Sequence, residues 1–273
     1  MLCLVYGSDE VSVLKYLVLI QARCGSSRLP NKVLKEIAGK TDLQWVLERV
    51  KRSKKIAEVM VITSIEKNNL PLIRLCTELD TRVFVGSEDD VLDRYYQAAR
   101  LLHPEYVIRI TADCPLFDWN YLDLAIEQLK PETDYLAEMT ESFPDGLDIE
   151  IMKFSVLKEA WEKARMASER EHVTLYIRNH LDEYQVQNFE CPIHGIGHKR
   201  WTLDEPADLE LIEKIYGHFI NLGKEDFATE DILGFLKENP QLEYINSMIG
   251  RNEGLQKSLK DDYKMDLYEV WHE

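Results

Sequence analysis

An α/β fold built on a mostly parallel sheet is predicted by three observations. Short apolar runs rich in β-branched residues recur at 16–21, 58–63, 82–85 and 106–111, as in strands buried on both faces. Helical patterns lie between these runs, which gives each pair of strands a crossover long enough to keep them parallel. The first run, YLVLIQ, opens straight into a loop of Arg, Gly, Ser and Pro, as a buried strand does where it enters a functional turn.

The elements follow in order. After the strand at 16–21, Asp42 can cap a helix reaching about Lys51. The strand at 58–63 precedes a helical pattern at 66–79, and the strand at 82–85 precedes one at 89–102. Ser87 followed by Asp90 resembles a capping arrangement, and Val91, Leu92, Tyr95 and Ala98 share one face of the helix beyond it. The strand at 106–111 ends just before Asp113, and there the pattern changes. A helix near 120–129, short strands near 134–138 and 148–152, and a helical pair over 155–181 point to a subregion that carries substrate contacts. Segment 201–203 returns to strand character, and Asp204 and Pro206 open a helix with Leu209, Ile212 and Ile215 at helical spacing. From Thr229 onward the tail reads as acidic helices, without low complexity, a clear linker or an internal repeat.

Composition narrows the function. The 273 residues, 45% hydrophobic, suffice for a sizeable core. A net charge of −16 opposes extended binding to a nucleic-acid backbone, which rests on phosphate neutralisation. The charge is uneven: six bases face one acid between Lys15 and Lys40, whereas twelve acids face five bases from Glu225 to Glu273. A basic stretch in an acidic protein suits a small anionic ligand. Cys3, Cys24, Cys76, Cys114 and Cys191 lack the close pairing of a disulfide framework, which suggests a reducing compartment. No apolar run reaches the ~18 residues of a membrane span, and the apolar start at 1–6 has no basic region before it and soon meets Asp9 and Glu10, unlike a secretory signal. A cytoplasmic protein with no membrane or nucleic-acid partner is the expectation, with a homodimer as the default for a soluble enzyme.

The segment with most chemistry is QARCGSSRLPNK at 21–32, directly after the first strand. In an open α/β sheet, ligands sit beyond the carboxyl ends of the strands, where this loop lies. Gly25, Ser26 and Ser27 let backbone N–H groups approach phosphate oxygens, while Arg23, Arg28 and Lys32 supply charge and donors. It is not a Walker A loop, since G-x-x-x-x-G-K-[ST] is absent. Asp113, just past the strand at 106–111, is placed to hold a metal against phosphates or to shape the turn before Cys114 and Pro115.

This loop is similar to the phosphate-gripping signature of cytidylyltransferases that activate acidic sugars, such as the acylneuraminate and KDO enzymes. The chain resembles most the spore-coat polysaccharide F type. The resemblance continues through GSEDDVLDR at 86–94, RITADCP at 109–115, DGLDIE at 145–150, REHVT at 170–174 and RWTLD at 200–204, and spans about 16 to 249. It implies a nucleotide-diphospho-sugar transferase-like fold, a three-layer α/β/α sandwich with a mostly parallel central sheet. It divides the chain into a nucleotidyltransferase domain (1–249), with a nucleotide-binding half at about 16–130 and an acceptor-binding half at about 131–249, and an acidic tail at 250–273. The implied reaction transfers CMP from CTP to an acceptor, an acidic sugar or related metabolite, and releases pyrophosphate during surface polysaccharide or glycoconjugate synthesis.

Carried over residue by residue, the resemblance assigns the nucleotide to Ala22, Arg23, Gly25, Ser26, Arg28, Lys32, Ser87, Arg94, Ala112 and Asp113. Arg23, Arg28, Lys32 and Asp113 are the catalytic set, Asp113 and Asp204 hold Mg²⁺, and Asp148, Glu150, Glu171 and His172 are candidates for the acceptor. Read without it, Asp204 is a helix cap before Pro206, Arg94 a solvent-facing helical cation, and Asp148 with Glu150 one solvated face of a strand. A glycosyltransferase of similar fold is the nearest rival, but such enzymes usually show an Asp-x-Asp pair where this chain has only Asp113. A non-catalytic nucleotide-binding subunit is the other. Cys191, His194 and His198 have spacings seen around zinc, yet lack a fourth ligand at a telling distance and sit among Pro192, Gly195 and Gly197 as a surface loop does.

Overall fold

The computed structural model describes residues 14–267, so the apolar start at 1–6, Cys3 and residues 268–273 lie outside the described part. In chain order the elements are β1 (Tyr16–Gln21), β2 (Glu36–Ile37), β3 (Lys40–Thr41), α1 (Asp42–Val50), β4 (Glu58–Ser64), α2 (Leu70–Glu78), β5 (Arg82–Gly86), α3 (Val91–Leu102) and β6 (Tyr106–Thr111). There follow α4 (Trp119–Gln128), β7 (Tyr135–Ala137), β8 (Glu150–Lys153), α5 (Phe154–Lys163), α6 (Ala167–Glu171), α7 (Leu175–Asn179), β9 (Val186–Asn188), α8 (Pro206–Asn221), α9 (Thr229–Glu238) and α10 (Glu253–Lys260).

Seven strands form the central sheet in the order β5-β4-β1-β6-β8-β7-β9, and β2 with β3 make a separate hairpin. β1 lies parallel to β4 on one side and to β6 on the other, while β8 runs antiparallel to both β6 and β7. Alternate residues of β1 feed opposite layers: Val18 and Ile20 pack with α1, α4, α8 and α9, and Leu17 and Leu19 with α3, α5 and α7. This confirms the three-layer α/β/α architecture. It also explains why these strands read as unbroken apolar runs, since both faces are covered.

The connection leaving β1 goes toward β4, and the chain returns past β5 to place β6 on the far side of β1. That reversal opens a crevice at the carboxyl ends of β1 and β6, the switch point where such sheets bind ligands.

Several local expectations change. Thr41, not Asp42, caps α1: Gln44 N–H donates to Thr41 Oγ1 at 3.2 Å, and Asp42 is the first residue inside, fully buried. Segment 201–203 is not a strand of the sheet; single backbone bonds tie Trp201 to Asp145 and Leu203 to Asp113. Within Pro206–Asn221, Asp208 satisfies the N–H groups of Asp204 and Glu205 at 3.0 and 2.9 Å, so Asp204 is not the cap. The hairpin β2–β3 and the strand β9 are additional elements, each too short to show a period in sequence.

Candidate active site

The loop after β1 is anchored by its apolar members. Leu29 and Val33 are buried in the core, which turns the neighbouring Arg28 and Lys32 toward the crevice. Asn69 holds the loop from outside by accepting from Cys24 N–H at 2.8 Å, and Ser26 Oγ closes the turn by accepting from Leu29 N–H at 3.2 Å. Ala22 and Ala112 extend the ends of β1 and β6, each buried, with Ala22 N–H bonded to Ile62 O and Ala112 N–H to Gln21 O. A Cβ at Gly25 would make only ordinary 3.8 Å contacts with Asn68 and Glu88, so the protein alone does not demand glycine there.

Lys32 is the centre of the arrangement. Its Nζ lies 2.6 Å from Asp113 Oδ2 and 2.5 Å from Asp204 Oδ1. Both oxygens touch one nitrogen, so they lie within about 5 Å of each other, and closing to about 4.2 Å or less would let one ion with ~2.1 Å bonds take both. Arg28 adds a second cation, 3.1 Å from Asp204 Oδ2 and 3.4 Å from Glu205 Oε1. Burial opposes the charge on Lys32, but the two carboxylates outweigh it and raise its pKa. Burial likewise opposes ionisation of Asp113, yet the Lys32 charge and hydrogen bond bring its carboxyl down to about 2.

Asp113 and Asp204 are brought together by backbone bonding, not by sheet pairing. Leu203 N–H and Thr202 Oγ1 both donate to Asp113 O, at 2.8 and 3.1 Å, and Trp201 N–H donates to Asp145 O at 2.7 Å. Gly146 permits the close approach: its φ is +105°, and a Cβ there would stand 2.7 Å from Thr202 N. Arg200 secures the same segment through Asp208, at 2.9 Å by two nitrogens, and through Asp145 at 2.8 Å.

The other residues assigned to the nucleotide are differently placed. Arg23 pairs with Glu88 at 3.0 Å. Ser87 Oγ accepts from Asp90 N–H at 3.1 Å at the entrance to α3. Arg94 is not solvent-facing: it is fully buried, and all three guanidinium nitrogens lack a protein partner, as does the buried Glu88 Oε2. Burial lowers the Arg94 pKa, against the nearby Glu88 charge. Asp42 is a second orphan, its two carboxyl oxygens buried without partners and its pKa raised by burial and by Asp113.

Among the acceptor candidates, Asp148 and Glu150 do not share a solvated strand face. Asp148 precedes β8 and is held by Arg251 at 2.7 Å, half-exposed. Glu150 is buried, facing Arg109 across the β6–β8 register; Arg109 NH1 reaches it at 2.7 Å, Arg178 at 3.0 Å and Thr174 at 2.9 Å, and Tyr135 O–H also donates to it. Burial opposes its charge, but Arg109 and then Arg178 hold the carboxyl at about 2, below its ordinary 4.5. A depressed folded-state pKa stabilises the fold above the unfolded value and loses that stabilisation as pH falls from about 4.5 to about 2. Glu150→Gln is therefore expected to flatten the acid limb of stability in this window, measured by denaturant unfolding at a series of pH values. An unchanged limb would show that Glu150 is not its source. Glu171 and His172 are partly exposed and adjoin the crevice, with Glu171 3.9 Å from Arg23. Burial lowers the His172 pKa, leaving a neutral imidazole at pH 7.

Arg109, Arg200 and Arg251 contribute to the site without having been singled out in sequence, although the first two lie inside the quoted motifs. Cys191 is buried in the core while His194 and His198 are exposed, and no group of three or more metal-ligating side chains occurs among the described residues. Cys24, Cys76, Cys114 and Cys191 are free thiols. No helix among the described residues is long and apolar enough to cross a membrane. A cavity of about 680 Å³ lies at the opposite, N-terminal ends of β4 and β5, lined by Lys51, Ile56, Thr81 and Arg82. The convergent charges therefore mark the site better than cavity size does.

Residues 17–241 match the family model for cytidylyltransferases. The uncharacterized protein MJ1063 of Methanocaldococcus jannaschii is 37% identical over 241 residues, covering 86% of this chain and 96% of that protein. The spore coat polysaccharide biosynthesis protein SpsF of Bacillus subtilis is 32% identical over 237 residues, covering 82% and 95%. A solved cytidylyltransferase from Leptospira borgpetersenii superposes with a TM-score of 0.80 at 29% identity, covering 87% of this chain and all of that one.

Proposed function

The chain belongs to the cytidylyltransferase family, a family of nucleotidyltransferases, and from that premise we propose that it transfers CMP from CTP to a hydroxyl of an acidic sugar or related metabolite. The observation that carries this reading is the convergence of Lys32, Arg28, Asp113 and Asp204 on the crevice at the ends of β1 and β6. Phosphoryl-type transfers need mainly positioning and charge stabilisation, and these four residues can supply both. Lys32, Arg28 and Arg23 bind the triphosphate and offset the charge that develops on the departing pyrophosphate. No covalent intermediate on the protein is needed.

The donor set fits a hard divalent cation. The carboxylates of Asp113 and Asp204 meet at Lys32, with Arg28 also beside Asp204, and Mg²⁺ takes one or two such ligands besides phosphate oxygens and water. Mg²⁺ held by Asp113 and Asp204 would supply charge stabilisation at the attacked phosphate. The unpartnered Arg94 guanidinium supports a base site behind Ser87, because its donors complement the O2 and N3 acceptors of cytosine. Asp148, Glu171 and His172 line the side from which the acceptor enters, and Glu150 fixes Arg109 beside them. The similarity to a spore-coat polysaccharide protein supports a place in surface polysaccharide synthesis.

A pyrophosphate-release screen of the four nucleoside triphosphates with Mg²⁺, against a panel of sugar acids, tests this reading. Release with CTP and at least one acid is expected. Equal use of ATP, GTP or UTP would remove the cytidylyl assignment, and release only with neutral sugars would remove the acidic acceptor.

A further inference from the structure

Residues 250–267 lie across the crevice. Their far end is fixed: Ser168 N–H and Oγ donate to Asp262 at 2.9 and 2.6 Å, Ala167 N–H bonds Tyr263 O and Met265 N–H bonds Arg165 O, each at 2.8 Å, and Met265 and Leu267 are buried. The near end is fixed by Arg251, which donates to Phe143 O at 3.0 Å and to Asp148 at 2.7 Å. Between these anchors runs α10, which buries no residue at all. Polar contacts hold it down, with Leu255 only partly buried, and exposed ion pairs such as Arg28–Glu253 are individually weak. Such a helix belongs to the low-stability end of a fold, from which moving elements are drawn.

Two of its contacts fall on the proposed ligand sites. Glu253 Oε2 lies 3.4 Å from Arg28 NH1, competing with phosphate for that guanidinium. Ser258 Oγ lies 2.7 Å from Glu171 Oε2 and 2.9 Å from His172 Nε2, and also 3.1 Å from its own helix at Gly254 O. A hydroxyl set between a carboxylate and an imidazole is what an acceptor hydroxyl would present to the same pair.

We propose that α10 is a nucleotide-released lid over the acceptor site, in which the Ser258 hydroxyl occupies the place that an acceptor hydroxyl takes on Glu171 and His172. The proposal rests on the reading of Arg28 as a triphosphate ligand. A bound triphosphate draws Arg28 away from Glu253 and repels that carboxylate. Between its two anchors α10 then lifts, Ser258 leaves Glu171 and His172, and the acceptor enters after CTP. The segment 262–267, held by its buried Met265 and Leu267, stays docked as the hinge side.

Hydrogen exchange on the full chain, with and without CTP, tests this directly, with CTP binding followed separately by calorimetry. CTP is expected to speed exchange across 253–260 at least about threefold while leaving 262–267 protected. Glu253→Gln is expected to speed the same peptide without nucleotide and to tighten CTP binding by about two- to fivefold, since one weak competitor is gone. Ser258→Ala is expected to speed the peptide and, because CTP binds the released state, to tighten CTP binding by no more than Glu253→Gln does. CTP that binds but leaves 253–260 unchanged or better protected would overturn the lid and spare the nucleotide site. Absence of CTP binding would overturn the nucleotide reading, and the lid's trigger with it.

Discussion

Asp113→Asn should lower kcat by on the order of 10² or more, with CTP and Mg²⁺ saturating, because it removes charge while nearly keeping shape. The carboxyl that is lost is held ionised at about 2 and touches Lys32 at 2.6 Å. Asp204→Asn should act alike, since its oxygen contacts the same nitrogen at 2.5 Å. The double variant should lose much less than the product of the two single losses, as is expected of groups that act through one cation. Asp204 is not the helix cap, since Glu205 holds that position and Asp208 reaches back from inside the helix to its N–H, so a fall in rate at Asp204→Asn cannot be credited to a lost cap. Steady-state kinetics over a range of Mg²⁺ concentrations decides the matter. Near-normal rates for Asp204→Asn, or single losses that simply multiply, would show that the two carboxylates do not share an ion.

Lys32→Ala should weaken CTP binding by about 10²-fold while leaving cytidine binding within about twofold, because hydrogen bonds from charged groups are worth roughly 1.5–3 kcal/mol. Two effects add. The phosphates lose a donor, and Asp113 and Asp204 lose the cation that now stands between them, leaving two negative charges to repel the triphosphate. Extra Mg²⁺ should restore part of the loss, since a divalent ion between the carboxylates removes that repulsion. Calorimetry with both ligands separates the outcomes: equal weakening of cytidine and CTP would indicate a disturbed fold, and unchanged CTP affinity would place the phosphates elsewhere.

Much of the fold was legible because its signals are local. β1 and β6 coincide with their apolar runs at 16–21 and 106–111, and the capping turn of Ser87 and Asp90 stands where the spacing put it. The phosphate-type loop was legible for the same reason, since its cations and turn residues lie within a dozen positions after one strand. The two- and three-residue strands β2, β3 and β9 carry too few residues for a period to appear, and β9 exists only through its pairing with β7.

Sequence alone thus determined the layered α/β class, the carboxyl-end loop and the residue types available to chemistry, because periodicity, turn preference and charge are properties of short segments. Tertiary structure decided which of those residues meet. Asp204 reaches Asp113 through backbone bonds from Thr202 and Leu203 neighbours that no spacing across ninety-odd positions encodes. Glu150 is buried because the β6–β8 register sets it opposite Arg109, and Arg94 is enclosed because α3 packs against the sheet instead of facing water. The acidic segment after Gly250 looked like a tail; its polar side chains find their partners only once Arg28, Glu171 and Asp148 have been gathered at the crevice. These are long-range pairings, fixed by packing and hydrogen-bond geometry after the strands have assembled, and a one-dimensional pattern does not contain them.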